Sequence, residues 1–212
     1  MQKPINLDLY LVTDRDLSLG RSLGWVVEKA ARGGVTIVQL REKDMETRDF
    51  IEEAQRIQKI LKPYNIPLLI NDRVDVALAI GADGVHLGQK DMPYQMARKV
   101  LGDKAIIGLS VESIEQAKEA NQFDADYIAI SPVFTTPTKE ELTQELGIKG
   151  VKEITRLSRH PAVGIGSIKA YNAQDIIEAG ADGIAVVSGI CSADDPEEAA
   201  SELRKKVQQG KS

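Results

Sequence analysis

The regular alternation of short apolar runs with amphipathic helical patterns constrains this chain more than any other feature. The runs are LYLVT (9–13), TIVQL (36–40), PLLIN (67–71), GVHLG (84–88), IIGLSV (106–111), YIAIS (127–131), AVGIG (162–166) and GIAVVS (183–188). They are short, rich in β-branched residues and nearly continuous in apolarity, as strands of a parallel sheet covered on both faces must be. Helical signals lie between them. Leu23, Val26, Val27, Ala30 and Ala31 share one helical face, Ser113 with Gln116 has the spacing of a capping box, Asp195–Pro196 suits an N-cap and first helical position, and Gly180 suits a stop. The connection at 73–80 carries the weakest helical pattern. Eight such units predict a single-domain (β/α)8 TIM barrel over 1–212, with a doubly wound open sheet as the alternative.

One helix-to-strand joint recurs. AIGADGVHLG (79–88) and EAGADGIAVVS (178–188) share Gly-Ala-Asp-Gly before a strand, and FDADYIAIS (123–131) keeps the Ala-Asp. Composition narrows the functional classes. A chain of 212 residues, 42% of them hydrophobic, can bury a sizeable core, and a net charge of −5 argues against a broad nucleic-acid or anionic-membrane surface. The single cysteine, Cys191, rules out an internal disulfide or a multi-cysteine zinc site, and with no histidine nearby in sequence it reads as a packed thiol. No apolar run has the length of a signal peptide or a membrane span. The expectation is a cytoplasmic protein whose partners are small-molecule substrates rather than nucleic acid or membrane; association into a homo-oligomer is left open.

In a barrel of this kind the loops after the strands share one face, where active sites sit. IPLLINDRVD (66–75) shows what gathers there: a buried strand runs directly into Asn71, Asp72 and Arg73, polar groups that are costly unless they emerge into a site. Asp72 and Asp91 follow consecutive strands, close enough for two carboxylates to approach one hard cation such as Mg2+. Arg41, Lys43 and Lys139 add the positive charge a pyrophosphate requires, although each alone would read as a solvated surface charge. The turns GIGS (164–167) and VVSG (186–189) offer backbone N–H groups to a second anion. His86 and His160 read as structural, Tyr127 and Trp25 as packing residues. No nucleophile–base pair, Rossmann fingerprint or Walker loop is present.

These segments resemble the thiamine phosphate synthase family: YLVTDR (10–15), VQLREK (38–43), LLINDRVDVALAIGADGVHLGQKDMP (68–93), IGLSVES (107–113), PVFTTPTK (132–139) and AVGIGS with GADGIAVVSGI. The resemblance runs in order through nearly the whole chain. It implies a transferase that joins 4-amino-2-methyl-5-hydroxymethylpyrimidine pyrophosphate to a thiazole phosphate or its carboxylate, releasing pyrophosphate. It also implies site roles. Gln39, Leu40, Arg41, Glu42 and Lys43 would hold the pyrimidine pyrophosphate with Gln39 nearest the ring, Asn71 would contact the same substrate, and Asp72 and Asp91 would bind Mg2+. Ser110 and Lys139 would meet the pyrophosphate, and Arg41, Lys43, Ser110 and Lys139 would be the catalytic set. Thr136, Pro137 and Thr138 would approach the thiazole phosphate, whose phosphate group would rest on Gly166, Ser167, Val187 and Ser188. One position departs from the family pattern: Ser167 stands where Ile-Gly-Gly-Ile would have its second glycine. Two alternatives share the scaffold, a thiazole tautomerase-like isomerase without the metal equipment and a non-catalytic sensor of phosphate ligands.

Overall fold

The computed structural model describes residues 5–135 and 145–212. Eight parallel strands, β1 (Leu9–Val12), β2 (Ile37–Leu40), β3 (Leu68–Asn71), β4 (Gly84–Leu87), β5 (Ile106–Val111), β6 (Tyr127–Ile130), β7 (Ala162–Ile165) and β8 (Gly183–Val186), close into a barrel through the pairing of β1 with β8. Closure excludes the open-sheet alternative. The helices are α1 (Leu23–Arg32), α2 (Thr47–Leu61), α3 (Val74–Ile80), α4 (Tyr94–Leu101), α5 (Ile114–Ala120), α6 (Gly147–Leu157), α7 (Ala173–Glu178), α8 (Ser188–Cys191) and α9 (Pro196–Lys211). The capping signals act as their chemistry dictates: the Ser113 hydroxyl accepts from Gln116 N–H, and the Asp195 carboxylate accepts from the N–H groups of Glu197 and Glu198. The chain at 183–188 divides differently from the sequence reading. The strand ends at Val186 and Ser188 already opens α8, so VVSG is a strand-to-helix joint.

Period-2 alternation within each strand separates two cores. Leu9, Leu11, Val38, Leu40, Leu68, Ile70, Val85, Ile128, Ile130 and Ile184 face the helices. Tyr10, Val12, Ile37, Leu69, Tyr127, Ala129, Val163 and Ala185 fill the barrel. Trp25, expected to pack, is 40% exposed on α1 beneath the Arg21 guanidinium, 5.3 Å from its ring centroid.

The recurring Ala-Asp joint has a physical task. At the start of β4, β6 and β8, the carboxylates of Asp83, Asp126 and Asp182 accept from the first-strand N–H groups of Leu68, Ile107 and Ala162, each at 2.8 Å. The N–H of each aspartate donates back to the carbonyl of the same residue. Thr36 makes the same exchange with Leu9 before β2, its hydroxyl 3.1 Å from the amide nitrogen. Every even strand thus ties the entry of the odd strand before it, satisfying donors that would be orphaned where the ladder begins. The internal echo in the sequence belongs to this stabilising end of the barrel.

Candidate active site

Because β2, β3 and β5 point alternate residues inward, Gln39, Asn71 and Ser110 reach the barrel interior near the carboxyl ends of their strands, with Gln39 and Asn71 only 3% and 8% exposed. The loop after β2 places its charges in pairs. Arg41 Nη1 lies 3.1 Å from Asp14 Oδ2, its backbone N–H donates to the Thr13 hydroxyl, and Arg15 bonds Glu42 at 2.6 Å. A cleft of about 400 Å3 opens over these loops, lined among others by Asp14, Arg15, Arg41, Glu42 and Lys43. Leu40 instead faces the helices and is fully buried, so only its backbone is available to a ligand.

At the end of β3 the backbone turns sharply. Asp72 adopts φ +60°, a left-handed conformation that aspartate tolerates better than most residues but that still carries strain. The turn lifts its carboxylate into the mouth, where it meets Lys43 Nζ at 2.7 Å and shares a hydrogen bond with the Asp91 carboxyl. Asp91 is itself anchored by the Gly88 N–H at 2.6 Å. Burial acts to raise the Asp72 carboxyl, but the bond to Asp91 and the Lys43 ammonium outweigh it and hold Asp72 below the usual carboxylate range. Burial, the same hydrogen bond and the neighbouring Asp72 charge hold Asp91 above it. Two carboxylates in contact need a cation or a proton between them. Arg73, the third member of the polar trio, turns away to Asp75 and Thr47.

Opposite this pair, Gly166 has φ +118°, and a Cβ there would lie 3.0 Å from the Phe134 carbonyl oxygen; Ser167 follows at φ +47°. The Ser167 hydroxyl is occupied, donating to the Thr135 carbonyl at 2.6 Å. Val187 precedes α8, and Ser188 Oγ accepts from Lys169 Nζ at 3.2 Å. Lys169 was not anticipated. Its signal was a lysine two residues beyond the GIGS turn, which brings a cation to the edge of the small-residue loops. Thr136, Pro137, Thr138 and Lys139 lie outside the described residues. The segment's flanks are joined, with Thr135 donating from both N–H and hydroxyl to the Glu145 carboxylate.

The sequence reading set His86 and Tyr127 aside as structural. Both are buried, but they join two of the proposed site residues. Gln39 Nε2 donates to Tyr10 Oη at 2.6 Å, Tyr10 and Tyr127 share a hydrogen bond of 2.8 Å, Tyr127 meets His86 Nδ1 at 2.8 Å, and His86 Nε2 meets Ser110 Oγ at 2.9 Å. His160 and Cys191 conform to expectation: His160 is buried against the Ala120 carbonyl, and Cys191 is fully buried.

The sequence matches the family described as thiamine monophosphate synthase over residues 9–190. It is 54% identical over 200 residues to the thiamine-phosphate synthase of Leptospira biflexa serovar Patoc, covering 92% of this chain and 95% of that one. Identity to the thiamine-phosphate synthase of Clostridium novyi is 50% over 191 residues, covering 90% and 94%. The solved structure of thiamine phosphate pyrophosphorylase from Pyrococcus furiosus superposes with a TM-score of 0.90 at 38% identity, covering 98% of each chain. With the family match, these relatives and the superposed barrel in agreement, the chain belongs to the thiamine monophosphate synthase family.

Proposed function

We propose that this protein is a thiamine phosphate synthase that condenses 4-amino-2-methyl-5-hydroxymethylpyrimidine pyrophosphate with a thiazole phosphate. The contact between the Asp72 and Asp91 carboxyls beneath Lys43 carries the reading. Such a pair is repulsive when both groups are ionised, and a divalent cation relieves it. Among the described residues no group of three or more His, Cys, Asp or Glu side chains converges as a metal site. Mg2+ takes one or two protein carboxylates and fills its other positions with water and phosphate oxygens. When bound there, Mg2+ would neutralise charge developing on the departing pyrophosphate.

The chain's own groups do the rest by position and charge. Gln39 and Asn71 orient the pyrimidine. Arg41, Lys43, Ser110 and Lys139 stabilise the pyrophosphate as the carbon–oxygen bond breaks and the electron pair leaves with it. Glu42 holds Arg15 and so shapes the rim of the cleft, while Leu40 fixes the strand end. The thiazole, seated by Thr136 to Thr138 with its phosphate on Gly166, Ser167, Val187 and Ser188 beside Lys169, supplies the nitrogen lone pair that captures the pyrimidine-methyl cation. No covalent enzyme intermediate is required, because the cation left by the departing pyrophosphate is captured directly by the thiazole nitrogen. The isomerase alternative leaves the acid pair and its lysine without a task, and nothing in the site favours a sensor over an enzyme.

The deciding experiment supplies purified protein with both substrates and Mg2+ and follows products by mass spectrometry beside an EDTA control. Thiamine phosphate and pyrophosphate formed only with metal is the expected result; folded protein giving neither refutes the assignment.

A further inference from the structure

The interior chain from Gln39 to Ser110 crosses the barrel from β2 to β5, and its hydrogen-bond chemistry permits little freedom. Tyr10 and Tyr127 are fully buried or nearly so, and burial raises both phenols, so both keep their protons. Each phenol has one hydrogen to give, and a neutral imidazole has one donor and one acceptor nitrogen. Tyr10 Oη already accepts from Gln39 Nε2. Were Tyr127 to donate back to Tyr10, the Tyr10 hydrogen would be stranded in a dry core, a costly arrangement. With the Gln39 amide nitrogen turned to Tyr10 and His86 neutral, full satisfaction runs one way: Gln39 to Tyr10, Tyr10 to Tyr127, Tyr127 to His86 Nδ1, and His86 Nε2–H to Ser110 Oγ. The Ser110 hydroxyl hydrogen is then left for the mouth, as are the Gln39 carbonyl oxygen and its second amide hydrogen.

The fold makes room for this chain with a glycine. Gly108 lies between His86 and Tyr127 in the strand register. A Cβ on it would fall 2.0 Å from Tyr127 Cζ and 2.4 Å from its hydroxyl. Without a side chain there, the His86 and Tyr127 rings stack across β5 with centroids 5.6 Å apart, while Tyr10 meets Tyr127 edge-on from the far side at 5.8 Å.

We infer that Tyr10, Tyr127 and His86 are positioning residues whose single head-to-tail hydrogen-bond chain fixes complementary polarities at two ligand-facing groups, a carbonyl acceptor at Gln39 and a hydroxyl donor at Ser110. Resting on the proposed reaction, the acceptor faces the amino group of the pyrimidine and the donor faces the pyrophosphate. One rigid network would thus select the orientation in which the leaving group lies on the Ser110 side.

Two measurements test it. Histidine nitrogen NMR on the 15N-labelled protein without substrates, with His86 assigned through a His86→Gln variant, is expected to show the Nε2–H tautomer. Tyr10→Phe, which keeps the Tyr127–His86 link, leaves that tautomer in place, whereas Tyr127→Phe releases it. An Nδ1–H tautomer in the parent protein overturns the polarity. The kinetic test is a cycle of Tyr127→Phe and Ser110→Ala, each expected to lower kcat about tenfold. If Tyr127 acts through Ser110, the double variant falls within about twofold of Ser110→Ala alone. Independent, multiplying losses mean that Tyr127 merely packs, and they overturn the proposal. Thermal unfolding of each variant confirms that folded protein is compared. The tautomer is read without turnover, so failure of the relay and failure of the assigned reaction are distinguished.

Discussion

Ser167 gives the structure its most quantitative test, because two opposing effects meet at one residue. Its φ of +47° lies in the left-handed region, where a residue with a Cβ costs about 1 kcal/mol more than glycine. Its hydroxyl donates to the Thr135 carbonyl at 2.6 Å, a contact with a net contribution of about 1 kcal/mol. Ser167→Gly removes both, so its stability should stay close to the parent's. Ser167→Ala keeps the strain and loses the bond, and should be less stable by about 1 kcal/mol, a fall in Tm of about 2–4 °C for a domain of this size. Thermal and urea unfolding of the three proteins measure this. An alanine variant as stable as the parent, or a glycine variant less stable than the alanine one, would refute the assignment of strain and bond. Function adds a second reading. With glycine at 167 the backbone can approach a phosphate without a Cβ, and KM for the thiazole phosphate should fall several-fold, as about 1 kcal/mol of recovered binding implies. An unchanged KM would show that Ser167 does not weaken that subsite.

Three further outcomes follow from the geometry. Asp91→Asn should raise the Mg2+ concentration giving half-maximal rate and lower kcat/KM by about 10²-fold, since it removes one anionic oxygen donor from the site; an unaltered metal dependence would exclude Asp91 as a ligand. Asp182→Ala, which strands the Ala162 N–H at the start of β7, should cost about 1–3 kcal/mol, with Asp182→Asn milder because its amide oxygen can still accept; equal stability of all three in urea unfolding would dismiss the strand-tying role. Burial pushes the Cys191 thiol up to about 11. The unfolded chain therefore releases this proton first, so the contribution is intact below the ordinary thiol value and fades as pH rises from there towards about 11. Comparison with Cys191→Ala should show a steeper loss of stability across that window in the parent, and identical slopes would contradict it.

Much of this molecule can be read from one dimension. The eight strands were legible because burial on both faces forces continuous apolarity, and the helix starts at Ser113 and Asp195 because a short side-chain acceptor before a helix has few other uses. Asn71 and Asp72 stood out because polar groups where a buried strand ends are expensive unless the strand opens into a site, and Asp91 because it follows the next strand. What sequence could not supply was anything set by barrel closure. Which residues meet inside the barrel depends on register across strands far apart in sequence: Tyr10 and Tyr127 are 117 residues apart and share a hydrogen bond only because β1 and β6 face each other across the interior. Gly108 reads locally as a weak point in a strand, yet it is the space that lets His86 and Tyr127 stack. The Asp72 carboxylate was visible as a candidate, but its left-handed turn, its contact with Asp91 and its pairing with Lys43 arise only when three loops converge. Sequence determined the elements and the polarity of their ends, because those follow from neighbours along the chain. The tertiary structure decided which polar groups touch, because contact across a closed barrel depends on register and on the gaps that small residues leave.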